Sequence, residues 1–100
     1  MVTSEEYAKN LGTLIARLRA RLGYSQEAFA LTCDIARTYM TEIERGKVSI
    51  SVDKLRLIVE KLGLSTSQFF VFFEDSQALE AWEAQHPPKP KKPRRSRKLT

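Results

Sequence analysis

Tyr7, Leu11, Leu14, Ile15, Leu18 and Leu22 recur at i, i+4, i+7, i+8, i+11 and i+15. That spacing is one unbroken apolar stripe on a helix, and it predicts a first helix from about Ser4 to Leu22. Ser4 is placed to cap it, Glu5 and Glu6 suit its positive end, and Gly23 stops it. A second helix is predicted from the N-cap Ser25 through "QEAFALT", where Phe29 between the small Ala28 and Ala30 suits close packing. After a turn at "CDIA" comes "ARTYMTEIERG", residues 36 to 46, with Met40 and Ile43 as its apolar pair and Gly46 as its stop. A fourth helix, capped by Ser51 and stopped by Gly63, runs from Val52 to Leu62. Its buried face is Val52, Leu55, Ile58, Val59 and Leu62, with Leu57 off the stripe.

The pattern changes character after residue 64. "STSQ" offers a capping box between Ser65 and Gln68, followed by "FFVFF" at residues 69 to 73. A strand has the same composition, but the capping signal and the helical surroundings favour a fifth helix. Five large apolar residues on a helix point in every direction, so one small core cannot hide them all. "DSQALEAWEAQ", residues 75 to 85, predicts a sixth helix with Leu79 and Trp82 as an i, i+3 pair. Beyond His86, prolines and like charges predict a disordered extension. The expected organisation is an all-α domain at 4–73, a C-terminal helical extension at 74–86, and a disordered Pro/Lys/Arg-rich tail at 87–100.

Length and composition narrow the function classes. One hundred residues, 42% of them hydrophobic, make one globular domain with a modest core. No apolar run approaches the roughly 18–20 residues that span a bilayer, and the acidic, polar start "MVTSEEYAKN" is no secretory signal. A cytoplasmic chain without membrane contact is expected. The single cysteine, Cys33, allows no internal disulfide and is read as a buried, inert thiol. One Cys and one His cannot build a zinc site or supply a nucleophile with its base, and no glycine-rich phosphate cradle exists. The expectation is therefore no enzyme, no metal, no cofactor and no small-molecule ligand.

Charge changes the picture once it is divided. The net charge is +5, but residues 87 to 100 hold seven of the 17 Lys and Arg and no acid. The rest of the chain carries ten basic against 12 acidic residues, near −2. Any nucleic-acid reading of the folded part must rest on where its charges lie.

The segment after the "CDIA" turn is the informative one. Arg37, Thr38, Tyr39, Thr41 and Glu42 face outward on a helix that is either solvated surface or a reading head. Two short helices with a tight turn between them are a helix-turn-helix signature. At "YSQEAFALTCDIARTYMTEIERGKVSISVDKLRLIVEKLGLSTSQFF" the chain resembles the Cro/repressor-type helix-turn-helix family, over roughly residues 8 to 73. Ser25-Gln26, Ala30, "Y-M-x-x-I-E-R-G" from Tyr39 to Gly46, and "LGLSTSQFF" match together. The fold implied is a compact five-helix, lambda-repressor-like domain, here with a short sixth helix. Among the family's roles, length and "ARTYMTEIERG" are most similar to controller proteins of restriction–modification systems, with phage repressors and antitoxins as alternatives.

The resemblance implies roles residue by residue. Arg37 and Thr38, in the first turn of the recognition helix, would reach base edges, Arg37 as a bidentate donor to guanine. Thr41 would meet a thymine methyl or phosphate, and Glu42 would accept from cytosine or orient Arg37. Gln26, Tyr39, Arg17, Arg45 and Lys47 would hold the phosphate backbone. Arg19 and Glu44 match a structural ion pair. Two positions depart from the family: Asp34 stands where glycine is usual in the turn, and Ala36 where Ser or Thr usually caps the recognition helix.

A single recognition helix reads few base pairs, so a homodimer on a palindromic site of double-stranded DNA is expected, with Leu57, Phe70, Phe72 and Phe73 at its interface. The tail's expected contribution is sequence-independent attraction to phosphate. The rival is a protein-interaction module, such as an antitoxin or adaptor, that keeps the fold without reading DNA.

Overall fold

Helices start in this computed structural model, which describes residues 2–92, where a small oxygen-bearing side chain can take an orphan backbone N–H. α1 (Ser4–Arg21) opens on a complete capping box: the Thr3 hydroxyl accepts from the Glu6 N–H and the Glu6 carboxylate from the Thr3 N–H. The cap is thus Thr3, one residue before the expected Ser4. Ser25 caps α2 (Gln26–Thr32) by accepting from the Ala28 N–H. α3 (Arg37–Glu44) is the exception, since Ala36 has no side-chain cap to offer. Ser51 caps α4 (Val52–Lys61), and Ser65 caps α5 (Thr66–Glu74). Only half of the expected box forms: the Ser65 hydroxyl accepts from the Gln68 N–H, but the Gln68 side chain does not return the bond. Asp75 caps α6 (Ser76–Gln85), accepting from Gln77 and Ala78. Residues 69 to 73 are helical, as the capping signal indicated. No helix among the described residues is long and apolar enough to cross a membrane.

One core gathers all six helices. Ile15, Phe29, Met40, Ile58, Val59 and Phe69 are fully enclosed, and Leu79 brings α6 into the same cluster. Trp82 lies over Phe72 with ring centroids 5.3 Å apart. The sixth helix therefore completes the core. Two stripe residues stand outside it. Val52 is 80% exposed, because the contacts of α4 with the core begin a turn later, at Leu55. Tyr7 is 45% exposed and makes an edge contact with Phe73, at 4.8 Å between centroids.

The helix-turn-helix unit is held against α1 at one unusually close crossing. Gly12 is buried, and a Cβ there would overlap the Ile43 carbonyl oxygen and lie 2.7 Å from that of Glu44, both in α3. On an isolated helix, Gly12→Ala would gain about 0.5–1 kcal/mol. Here the obstacle is backbone, which yields only if the helices separate. A net loss of about 1–3 kcal/mol is expected, read as a lower urea midpoint at unchanged slope.

Residues 87–92, the described part of the segment expected to be disordered, form no helix or strand but bond back to the fold at two points. The Lys89 N–H donates to the Arg21 carbonyl and the Lys92 N–H to that of Gly23, each at 2.8 Å. These bonds fix the segment across the α1–α2 turn. Residues 93–100 of the predicted tail lie outside the described residues.

Candidate nucleic-acid interface

The connection between α2 and α3 is short because Asp34 adopts a left-handed backbone, φ 56°. Its conformation lets the Ile35 N–H return to the Ala30 carbonyl at 2.9 Å, closing α2 and sending Ile35 into the core. Asp is among the few non-glycine residues that visit this region routinely. Cys33, at the C-cap of α2, is fully buried, and burial pushes its thiol up to about 11. It stays protonated and unreactive at neutral pH, in keeping with an inert packing role.

At about 100° per residue, Arg37, Thr38, Thr41 and Glu42 share one arc of roughly 140° on α3, opposite buried Met40 and Ile43. Arg37, Thr38 and Glu42 are exposed, and their side chains make no hydrogen bond or ion pair among the described residues. Thr41 differs, being half-buried with its hydroxyl 2.6 Å from Gln26 Oε1 and 3.0 Å from the Arg37 carbonyl. Tyr39 is half-buried against the core, while Arg45 and Lys47 are exposed just past the helix.

Beneath this face lies a polar network. Arg19 grips Glu44 in a fork, Nε to Oε2 at 2.7 Å and Nη2 to Oε1 at 2.9 Å, and its Nη1 donates to the Tyr24 carbonyl. Gln26 Nε2 donates to Glu44 Oε1 at 2.9 Å. Gln26 is thereby held at both ends of its amide, by Glu44 and by Thr41. Its position is that of a strut between the two helices, whereas the family resemblance implied a phosphate contact.

Arg17 is also engaged elsewhere. Its guanidinium forks onto Glu83 of α6, with Nε to Oε2 at 2.8 Å. The hydrogen bond from Arg17 holds the Glu83 carboxyl below its usual range, against the opposing effect of burial. Of the four residues expected at a dimer contact, Phe72 is buried under Trp82, while Leu57, Phe70 and Phe73 are half-buried. Phe72 is thus core, since the sixth helix covers it. Val71, half exposed, is the α5 residue that faces solvent in its place.

A pair of short helices, joined by a left-handed turn and presenting one polar face, defines a helix-turn-helix protein. The chain belongs to the Cro/repressor-type helix-turn-helix family of DNA-binding transcription regulators, whose helix-turn-helix profile matches residues 15–69. It is similar to the control protein C.BamHI of Bacillus amyloliquefaciens, 34% identical over 62 residues that make up 61% of this chain and 76% of that one. It also resembles the control protein C.MunI of a Mycoplasma species, 38% identical over 60 residues, 59% of this chain and 81% of the relative. The wild-type restriction–modification controller protein C.Esp1396I superposes with a TM-score of 0.65 at 27% identity, covering 71% of this chain and 91% of its own. The same controller in a nucleoprotein complex matches at 28% identity with a TM-score of 0.62, covering 67% and 87%.

Proposed function

We propose that this chain is a controller-type regulator that binds a palindromic operator as a homodimer, inserting the exposed face of α3 in the major groove. The observation that carries this reading is a broken local rule. α3 begins without a side-chain cap and without an acid in its first turn, and its first residue is a cation, Arg37. A cation at a helix N-terminus opposes the dipole, so nothing in the stability of α3 accounts for it. A guanine edge, with two acceptors in the major groove, does. In this reading Arg37, Thr38 and Glu42 meet bases, and Arg45 and Lys47 meet phosphates. Thr41 and Gln26 hold the two helices at the angle the groove requires.

Dimerisation would use the apolar surface around α5. Val71 and Tyr7 are exposed, and Phe70 and Phe73 join Tyr7 through edge-on aromatic contacts. An apolar groove of about 380 Å³, lined among others by Tyr7, Val48, Ile50, Leu55 and Phe70, runs alongside. Support also comes from the similarity to control proteins and to a controller solved in a nucleoprotein complex. No catalytic activity is part of this reading.

The test is binding of the full chain to DNA from immediately upstream of its own gene, against scrambled DNA, across a range of salt. Preference for the upstream site by about 10³ or more is expected, with two protomers per site. Equal, weak binding to both would overturn autoregulation, and a folded chain that binds neither would favour an interaction module. The near −2 charge of residues 1–86 makes that rival worth testing.

A further inference from the structure

The family profile ends at residue 69, and the chain beyond it folds back onto the start of the helix-turn-helix. Arg21 Nη2 donates to the carbonyls of Glu83 at 3.0 Å and His86 at 2.7 Å, which closes the C-terminal end of α6 against the end of α1. The strap at 87–92 closes α1 in turn: the Lys89 N–H donates to the Arg21 carbonyl and the Lys92 N–H to that of Gly23. The last carbonyls of a helix lack intrahelical donors, so each of these two helix ends helps to close the other. Gly23 permits the close approach, because φ is +87° and a Cβ there would overlap the Pro90 carbonyl oxygen. At the end of the strap the Lys92 ammonium sits 4.8 Å over the Tyr24 ring.

Tyr24 is where this mount meets the polar network under the recognition face. Its carbonyl accepts from Arg19 Nη1 at 2.9 Å, its N–H donates to the Arg19 carbonyl, and its ring packs on Phe29 of α2 with centroids 5.3 Å apart. Arg19 holds Glu44, Glu44 holds Gln26, and Gln26 holds Thr41 on α3. We propose that the strap is a positioning brace: seated on Gly23 and Tyr24, it holds the angle between α2 and α3 at which α3 reads DNA. The inference rests on the DNA-binding reading above and adds to it a segment that acts on DNA only through other residues. Its consequence is reciprocal. A seated strap that favours the operator-binding arrangement of α3 is itself favoured by the operator, by the same factor.

Amide hydrogen exchange of the full chain reads the seating residue by residue. The Lys89 and Lys92 amides should exchange slowly, and operator DNA should slow both by about a further tenfold. The Lys91 amide, which makes no hydrogen bond among the described residues, is the internal control and should exchange freely throughout. Two full-length variants release the strap and keep the lysine over Tyr24. Lys89→Pro puts a ring carbon where the N–H met the Arg21 carbonyl, and its control, Lys89→Gln, removes the same cation but keeps the donor. Gly23→Ala drives a Cβ into the Pro90 carbonyl. Release is read as free exchange of the Lys92 amide.

Binding is measured well below each variant's melting midpoint, where a merely structural role leaves operator preference unchanged. Release should lower the preference for operator over scrambled DNA by about tenfold, Lys89→Pro against Lys89→Gln and Gly23→Ala against the wild type. The salt slope should match that of each reference protein, because no phosphate contact is lost. A released strap with full preference overturns the brace, and so does a flatter slope, which would make the strap a phosphate contact. Operator DNA that slows Lys91 as much as its neighbours also overturns it, since DNA would then be covering the segment. Lys89 and Lys92 amides that exchange as freely as Lys91 in the free wild type overturn the mount itself. So does a Lys92 amide still protected in both release variants. A wild type that cannot tell operator from scrambled DNA overturns instead the DNA reading on which the brace rests.

Discussion

Glu44→Ala should cost this protein about 3 kcal/mol, lowering its melting midpoint by roughly 12 °C or more for a domain of this size. Glu44 is the acceptor for three donors at once: Nε and Nη2 of Arg19, and Nε2 of Gln26. Its side chain is 7% exposed and that of Arg19 15%, so water cannot replace the carboxylate freely. Removing it strands a guanidinium that still faces the core, with the Tyr24 carbonyl as its remaining partner. It also frees the Gln26 amide, which then no longer holds Thr41. The loss extends from stability to the angle between α2 and α3, so specific DNA binding should weaken beyond what the stability change accounts for.

The comparison that isolates the cause is the pair replaced together. Removing one partner of a buried ion pair leaves an uncompensated charge, whereas replacing both by apolar residues of similar volume is often neutral. Arg19→Met with Glu44→Leu should therefore recover most of the stability lost in Glu44→Ala. Operator discrimination should not recover with it, because Gln26 still lacks its acceptor. Thermal melts and operator titrations of the single and double variants check both halves. A double variant as unstable as the single one would show that the pair contributes mainly through packing.

That network also marks the boundary of what the sequence could convey. The faces of α3 were legible because helical period alone separates Met40 and Ile43 from Arg37, Thr38 and Glu42. The caps at Ser25, Ser51 and Ser65 were legible because capping is a local rule. Thr3 was within reach of the same rule, since Thr3-x-x-Glu6 spells a capping box, but Ser4 beside it drew the assignment. The Arg19–Glu44 pair was available only through family resemblance, because its partners lie 25 residues apart. Period and capping carry no information about which charges meet.

The contacts that the sequence did not announce have the same origin. Arg17 looked free for phosphate because nothing local announces Glu83, 66 residues later. Phe72 looked available for a partner because its cover, Trp82, belongs to a helix whose docking follows from tertiary packing. Gly12 gave no signal at all, since its role is set by how closely α3 crosses α1. The strap was hidden behind its composition. Prolines and lysines exclude a helix and a core, yet two backbone donors and a glycine suffice to fix such a segment on a neighbour. Composition correctly denied it regular structure and said nothing of docking.

Arg37→Ala should separate function from stability most cleanly, by destroying operator discrimination in a protein that folds as well as before. Arg37 is exposed at the first position of α3, and its side chain has no partner among the described residues. Its charge faces the positive end of the dipole with no cap behind it, so truncation should leave stability unchanged or raise it by up to about 1 kcal/mol. A bidentate guanine contact is worth about 1–3 kcal/mol of discrimination per site, and a two-fold dimer loses it twice. The preference for operator over scrambled DNA should thus fall by roughly 30-fold at least, and by about 10⁴-fold at the upper end. Binding to scrambled DNA should change little. Lys47→Ala is the contrasting case: it should weaken both DNAs by a similar factor and reduce the salt slope by about 1. If Arg37→Ala instead lowered both affinities equally, Arg37 would be a phosphate contact, and the base reading would have to move along α3 to Thr38 and Glu42.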